Sequence, residues 1–233
     1  MNDFAQPYPP LAIIEARLFG EPAVIEGDIP AEPESQSEIP TLLPDWLQHR
    51  IRQVARQPAQ TAPASPAAGQ IWSLAYEGQV DGQTLSGRIP VLLDQPLGEG
   101  RWRGWIVSDD TDYAALDDVI LDTEALSLAP MVSQVQTWNK VQAQWSTKAP
   151  FLGQLPDNQL ASVRRVAASA NRLNPHLGEP CQLVWRDLAP GWSVLTGQPL
   201  GNAQDPRWAY RQLYRRFALA CLPELSNEQE FDV

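Results

Sequence analysis

From residue 70 onward the apolar positions come in short runs rich in β-branched and aromatic residues, broken by Gly, Asp and Pro. That texture belongs to a small β-barrel or sandwich. The runs predict strands at 70–77, 88–94, 101–108, 117–123, 131–138 and 140–146. Asp81-Gly82 and Gly98-Glu99-Gly100 supply turn residues that tolerate positive φ. Pro156-Asp157 opens a predicted helix reaching residue 172, with Leu160, Val163, Ala167 and Ala170 on one face. The segment 182–188 reads as a further strand. The last helix has the clearest signature: Asp205 as cap, Pro206 at the first position, then Tyr210, Leu213, Tyr214, Phe217, Ala218 and Cys221 along one stripe, with Pro223 ending it. Arg207, Arg211, Arg215 and Arg216 fall mostly off that stripe and predict a solvated face.

The first 69 residues are patterned differently. Prolines at 7, 9, 10, 22, 30, 33 and 40 forbid a continuous helix, so an extended or irregular arm is expected, with Leu11, Ile13, Ile14 and Leu18 as an apolar island able to dock. Leu47, Ile51, Val54 and Ala55 share one helical face and predict a helix of about three turns. Residues 57–69 are small and proline-punctuated, the composition of a linker. These shifts divide the chain into an acidic Pro-rich arm (1–40), a short helix and linker (41–69), a β domain (70–173) and a C-terminal β/α extension (174–233).

Charge narrows the function classes. The 233 residues carry 28 acidic and 17 basic side chains, a net charge of −11, and residues 1–40 alone hold eight acids against Arg17. A nucleic-acid-binding domain shows the opposite balance. With 43% hydrophobic and 19% charged residues the chain can bury a sizeable core. No apolar run approaches the ~20 residues that span a bilayer, and the amino terminus lacks the pattern of a signal peptide, so a cytoplasmic protein without membrane contact is expected. Two cysteines and two histidines are too few for a disulfide scaffold or a zinc centre. The Asp109, Asp110, Asp112, Asp117 and Asp118 cluster lacks the EF-hand order of ligands and reads as a polar loop. No metal and no cofactor is expected.

In order and spacing, residues 69–173 resemble the MazF/PemK family of toxin endoribonucleases. Gly69-Gln70-Ile71-Trp72 is similar to that family's opening Gly-Asp-Ile-Trp strand, and Ser86-Gly87-Arg88-Ile89-Pro90-Val91-Leu92 to its Gly-x-Arg-Pro-x-x-Val stretch. Gln136-Thr137-Trp138-Asn139-Lys140, Gly153-Gln154-Leu155-Pro156-Asp157 and the helix through Val163 and Val166 are similar to its closing strand, its Gly-x-Leu-Ser turn and its last helix. The resemblance implies a mostly β fold with α (α+β): a small SH3-like β-barrel closed by a helix, here with added N- and C-terminal extensions. It also implies metal-free RNA cleavage by an arginine and a hydroxyl beside the scissile phosphate. The matching positions are Arg88 with Ser108 or Thr111, the arginine gripping phosphate through its planar fork and the hydroxyl donating to the oxygen on which charge develops.

The surroundings of those positions oppose that chemistry. Asp109, Asp110 and Asp112 flank the candidate hydroxyls, and a carboxylate within ~6 Å of a phosphate repels it. Ile89 separates Arg88 from Pro90, and a shift of one residue along a strand sends a side chain to the other face. The expectation is therefore a non-catalytic protein-binding or accessory protein of a bacterial defence, toxin–antitoxin or mobile-element system, with a protein partner rather than a nucleic acid and a homodimer as a possible assembly. Its binding residues would be Trp102, Arg103 and Trp105 on an aromatic groove, and Arg211 and Arg215 on the last helix. The alternative is a divergent endoribonuclease acting on RNA, with the acidic arm folded over its groove as a built-in mimic.

Overall fold

The computed structural model describes residues 8–20, 61–169 and 181–222; the helix expected at 47–55 lies outside them. The elements are α1 (Leu11–Phe19), β1 (Gln70–Val80), β2 (Gln83–Gly98), β3 (Arg101–Ser108), β4 (Asp118–Ile120), β5 (Gln134–Gln144), β6 (Phe151–Gln154), α2 (Asp157–Ala167), β7 (Leu183–Ala189), β8 (Trp192–Gly197) and α3 (Pro206–Cys221). A short 3-10 turn, Thr111–Tyr113, follows β3. β1 to β6 form one antiparallel sheet in the order β4-β5-β3-β2-β1-β6, and β7 and β8 form a separate hairpin. The protein is thus mostly β with α, as the sequence implies.

Turn chemistry sets the register. Asp81 and Gly82 adopt φ of 51° and 81°, the paired positive values of a tight hairpin turn, and Val80 faces Gln83 across it. Alternation along the strands then gives the sheet two buried faces. Ile71, Leu92, Trp105 and Val107 point to one face, where Leu160, Val163 and Val166 of α2 cover them. Trp72, Leu74, Val91, Leu93, Trp102 and Ile106 point to the other, where Tyr210, Tyr214 and Phe217 of α3 and Ile14 and Leu18 of α1 pack. The sheet curls towards this second face, because the Trp72 ring on β1 meets the Trp145 ring just beyond β5 at 5.6 Å. The α3 face is therefore the concave one.

Several elements differ from the sequence-based expectation. The strands expected at 131–138 and 140–146 are a single β5, and its register against β3 jumps from Lys140 at Trp105 to Val135 at Val107. The residues between, Gln136, Thr137, Trp138 and Asn139, turn their polar atoms to internal partners, which a period-two reading breaks into two strands. β8 was not expected; it completes a hairpin with β7 around Gly191, whose φ is 72°. Gly197 at its end lies so close to Ala114 that a Cβ would sit 2.0 Å from the Ala114 carbonyl oxygen, so only glycine joins the hairpin to the barrel there. The arm is also not irregular throughout. Nine residues between Pro10 and Gly20 form α1, too short to hold helix alone and kept helical by burial of Ile14 and Leu18.

Candidate functional site

Ser108 ends β3 on the concave face, with its side chain beneath α3. Its hydroxyl lies 3.2 Å from the Tyr210 hydroxyl, and Gln136 Nε2 donates to Tyr210 at 2.8 Å and to Ser108 at 3.4 Å. Asn139 Nδ2 holds Gln136 in place through its Oε1 at 3.0 Å. The β5 irregularity carries both amides to this spot, and the i, i+4 spacing of α3 brings Tyr210 and Tyr214 together. Tyr113 stacks on Tyr210 with ring centroids 4.7 Å apart, and Tyr8 leans on Tyr113 at 5.2 Å. Burial pushes the Tyr210 and Tyr214 phenols well above their usual range and Tyr113 to about 12, so all three stay protonated donors at ordinary pH.

The adjoining carboxylates are engaged rather than open. Tyr214 donates to Asp110 Oδ2 at 2.8 Å, and Arg17 of α1 bridges Asp109 at 2.7 Å and Asp110 at 2.5 Å. Arg17 is the one base of residues 1–40. The docked part of the arm thus presents a cation to the barrel's acids, the reverse of the charge that an RNA mimic would carry. Thr111 is half-buried at the start of the 3-10 turn.

Arg88 lies elsewhere. Its backbone pairs with Ala75 on the face of Ile71 and Leu92, and it is exposed, donating from Nη1 to the Ser73 carbonyl at 3.0 Å. Its neighbour Ile89, opposite Leu74, is the residue that shares the Ser108 face. Arg88 and Ser108 therefore project from opposite faces of the sheet, as strand alternation places Arg88 and Ile89 on different faces of β2.

The likeness to MazF covers less than half of the chain. A crystal structure of MazE–MazF (Form-II) from Deinococcus radiodurans is 24% identical, covering 42% of this chain and 88% of that one, with a TM-score of 0.34. MazF (Form-I) from the same organism is 20% identical over 44% of this chain and 92% of that one, with a TM-score of 0.32. No protein-family model and no curated protein matches the chain. Among the described residues no helix is long and apolar enough to cross a membrane.

The other acids beyond β3 hold a second arginine. Arg211 of α3 bonds to Asp117, lies 3.6 Å from Asp118 and stacks over the Trp138 ring at 4.7 Å. Asp118 also accepts from Ala115 N at 2.8 Å and Trp138 Nε1 at 2.9 Å. Arg207 is buried against Asp205, so two of the four arginines expected on a solvated face are internal instead. Burial pushes the Asp118 carboxyl up to about 7 against the opposing charge of Arg211, and the charge of Asp117 adds to the rise. An unfolded aspartate titrates near ~3.9, so the folded chain binds the extra proton between these values. Unfolding free energy should therefore fall as pH rises through that window and level off above it. Chemical denaturation across pH 5 to 8 checks this, and Asp118→Asn is expected to flatten the slope.

Of the expected binding residues, Trp102 and Trp105 are both buried and face opposite sides of the sheet, one in each core. They form no common groove. Arg103 is half-buried between them, and Arg215 is exposed on α3. Tyr210, Tyr214, Gln136, Asn139 and Arg17 were not among the expected site residues. Their signal lay in tyrosines recurring four apart opposite a polar strand, which periodicity assigns to packing.

Proposed function

We propose that this chain is a non-catalytic protein-binding or accessory protein of a toxin–antitoxin, defence or mobile-element system, built on a MazF/PemK-like barrel and working in the cytoplasm. The observation that carries the reading is the separation of Arg88 from Ser108 by the sheet itself. Cleavage of a phosphodiester needs the cation and the hydroxyl donor at one reacting centre, with reacting atoms held within about 3–3.5 Å. Here the hydroxyl is sealed beneath Tyr210 and the arginine is tied to a backbone carbonyl on the far side. Asp109 and Asp110 beside the hydroxyl add repulsion for any phosphate that reached it. Expression of the full chain should neither arrest growth nor degrade cellular RNA. Strong arrest that disappears in Arg88→Ala would overturn the reading.

A second reading, a nuclease held inactive by its arm, has one observation in its favour: α1 does lie over the Asp109 and Asp110 patch next to Ser108. Full-length Ile14→Asp/Leu18→Asp, which places charge in the apolar seat of α1, separates the two. RNA incubated with this variant should stay intact; cleavage products appearing only with the variant would favour the second reading.

A further inference from the structure

The chain's negative charge sits at its two ends. Residues 1–40 carry a net −7 and residues 223–233 a net −4, together the whole −11, so residues 41–222 are balanced. Within that balanced part the arginines are used unequally. Arg164, Arg207, Arg211 and Arg216 each pair with a carboxylate. Among the described residues, Arg101, Arg103 and Lys140 pair with none. Backbone pairing sets these three on the convex face: Arg103 lies between Gln95 on β2 and Gln142 on β5, Arg101 faces Gln144, and Lys140 faces Trp105. Arg101 and Lys140 are exposed. Arg103 makes a single side-chain hydrogen bond, from Nη1 to Gln95 Oε1 at 3.2 Å, and its Nε is buried without a partner.

We propose that this convex strip of β2, β3 and β5 docks an extended acidic segment of a partner protein. The proposal deepens the accessory-protein reading and rests on it. Three cross-strand rows present the cations, successive rows being two residues or ~6.6 Å apart along β3, which is the spacing of alternate side chains on an extended peptide. Carboxylates at every second position of the partner therefore meet Arg101, Arg103 and Lys140 in turn, while the glutamines flanking them offer donors and acceptors to its backbone. A single-stranded nucleic acid suits the strip less well. Base stacking needs exposed aromatic rings, and the indoles of this region, Trp102 and Trp105, are buried in the two cores. Three cations are also a small neutralising set for a polyanion approaching a chain of net −11.

The test uses the full chain and a fluorescein-labelled ten-residue peptide alternating Glu and Thr, with a ten-nucleotide oligouridylate as the competing class, followed by fluorescence anisotropy at low and high salt. The peptide should bind, weaken with salt, and lose about tenfold or more in affinity to Arg101→Glu/Lys140→Glu. Lys148→Glu, an exposed cation outside the three cross-strand rows, should bind as the parent does. Both reversed positions are exposed, so an unchanged thermal midpoint verifies that the double variant folds. Absence of peptide binding, binding unchanged in the double variant, or tighter binding of the oligouridylate through the same residues would overturn the proposal. RNA cleavage by the parent chain would instead remove the accessory reading, whatever the peptide titration gives.

Discussion

Asp205→Ala is expected to lower the unfolding free energy by about 3–5 kcal/mol, the cost of leaving a buried charge without its partner. The Arg207 guanidinium is almost fully enclosed. It meets Asp205 at 2.6 Å and otherwise donates to the carbonyls of Ala114, Gln198 and Pro199, which offer partial charge but cannot neutralise it. Asp205 also accepts from Gly201 N and Arg207 N, so the substitution removes the cap of α3 as well. Those links tie the β8 exit, the 3-10 turn and α3 into one block, and urea denaturation should report the loss across all of them together. Burial alone would raise the Asp205 carboxyl, but the hydrogen bonds from Arg207 and Gly201 outweigh it and hold the group below its usual range. The stabilisation is therefore present above the ordinary carboxylate pKa and is lost as pH falls through the lowered value. Asp205→Asn, which keeps a capping oxygen, should recover part of the loss at neutral pH.

Phe217→Ala is the second large expected effect, about 3–5 kcal/mol, or a fall of roughly 10 °C in thermal midpoint. Phe217 is fully buried where α3, β1 and α1 meet, with its ring edge-on to Tyr76 at 4.8 Å and to Phe19 at 6.1 Å. Among the described residues the packing has little room to close the cavity, because Gly78 already brings β1 against the Ala220 backbone. The consequence reaches the site. Phe19 is the last residue of α1 and loses part of its seat, so proteolysis near residue 20 should speed up in the variant by more than global unfolding explains. Equal protection of α1 in Phe217→Ala and the parent would mean that Arg17 and its two aspartates hold the helix without the aromatic contact.

The two variants probe different layers of what the sequence encodes. The β3 span, the Asp81-Gly82 turn, the start of α2 and the whole of α3, cap included, were legible because each depends on a local rule: period-two burial, positive φ, or a capping side chain followed by proline. The α+β class followed from the same rules. α1 was not legible, since its helix is stabilised by surfaces far along the chain, and the prolines around it argued locally for an irregular arm. β5 was misread as two strands because its irregularity serves Gln136 and Asn139, whose partners lie on β3 and α3.

Of the candidate site, the sequence by itself determined the inventory: an arginine displaced by one position from its proline, hydroxyls set among aspartates, tryptophans in a strand, and a net charge of −11. With Ile89 between Arg88 and Pro90, Arg88 falls on the other face, because alternation along a strand is a local property. Which charges meet was decided only by the tertiary structure. Arg17 reaches Asp109 and Asp110 across 92 and 93 residues, and Arg211 reaches Asp117 across 94, while Arg101, Arg103 and Lys140 meet no acid among the described residues. A Coulomb interaction depends on distance and local dielectric, and neither quantity exists until the sheet has curled and α1 and α3 have packed into its concave face.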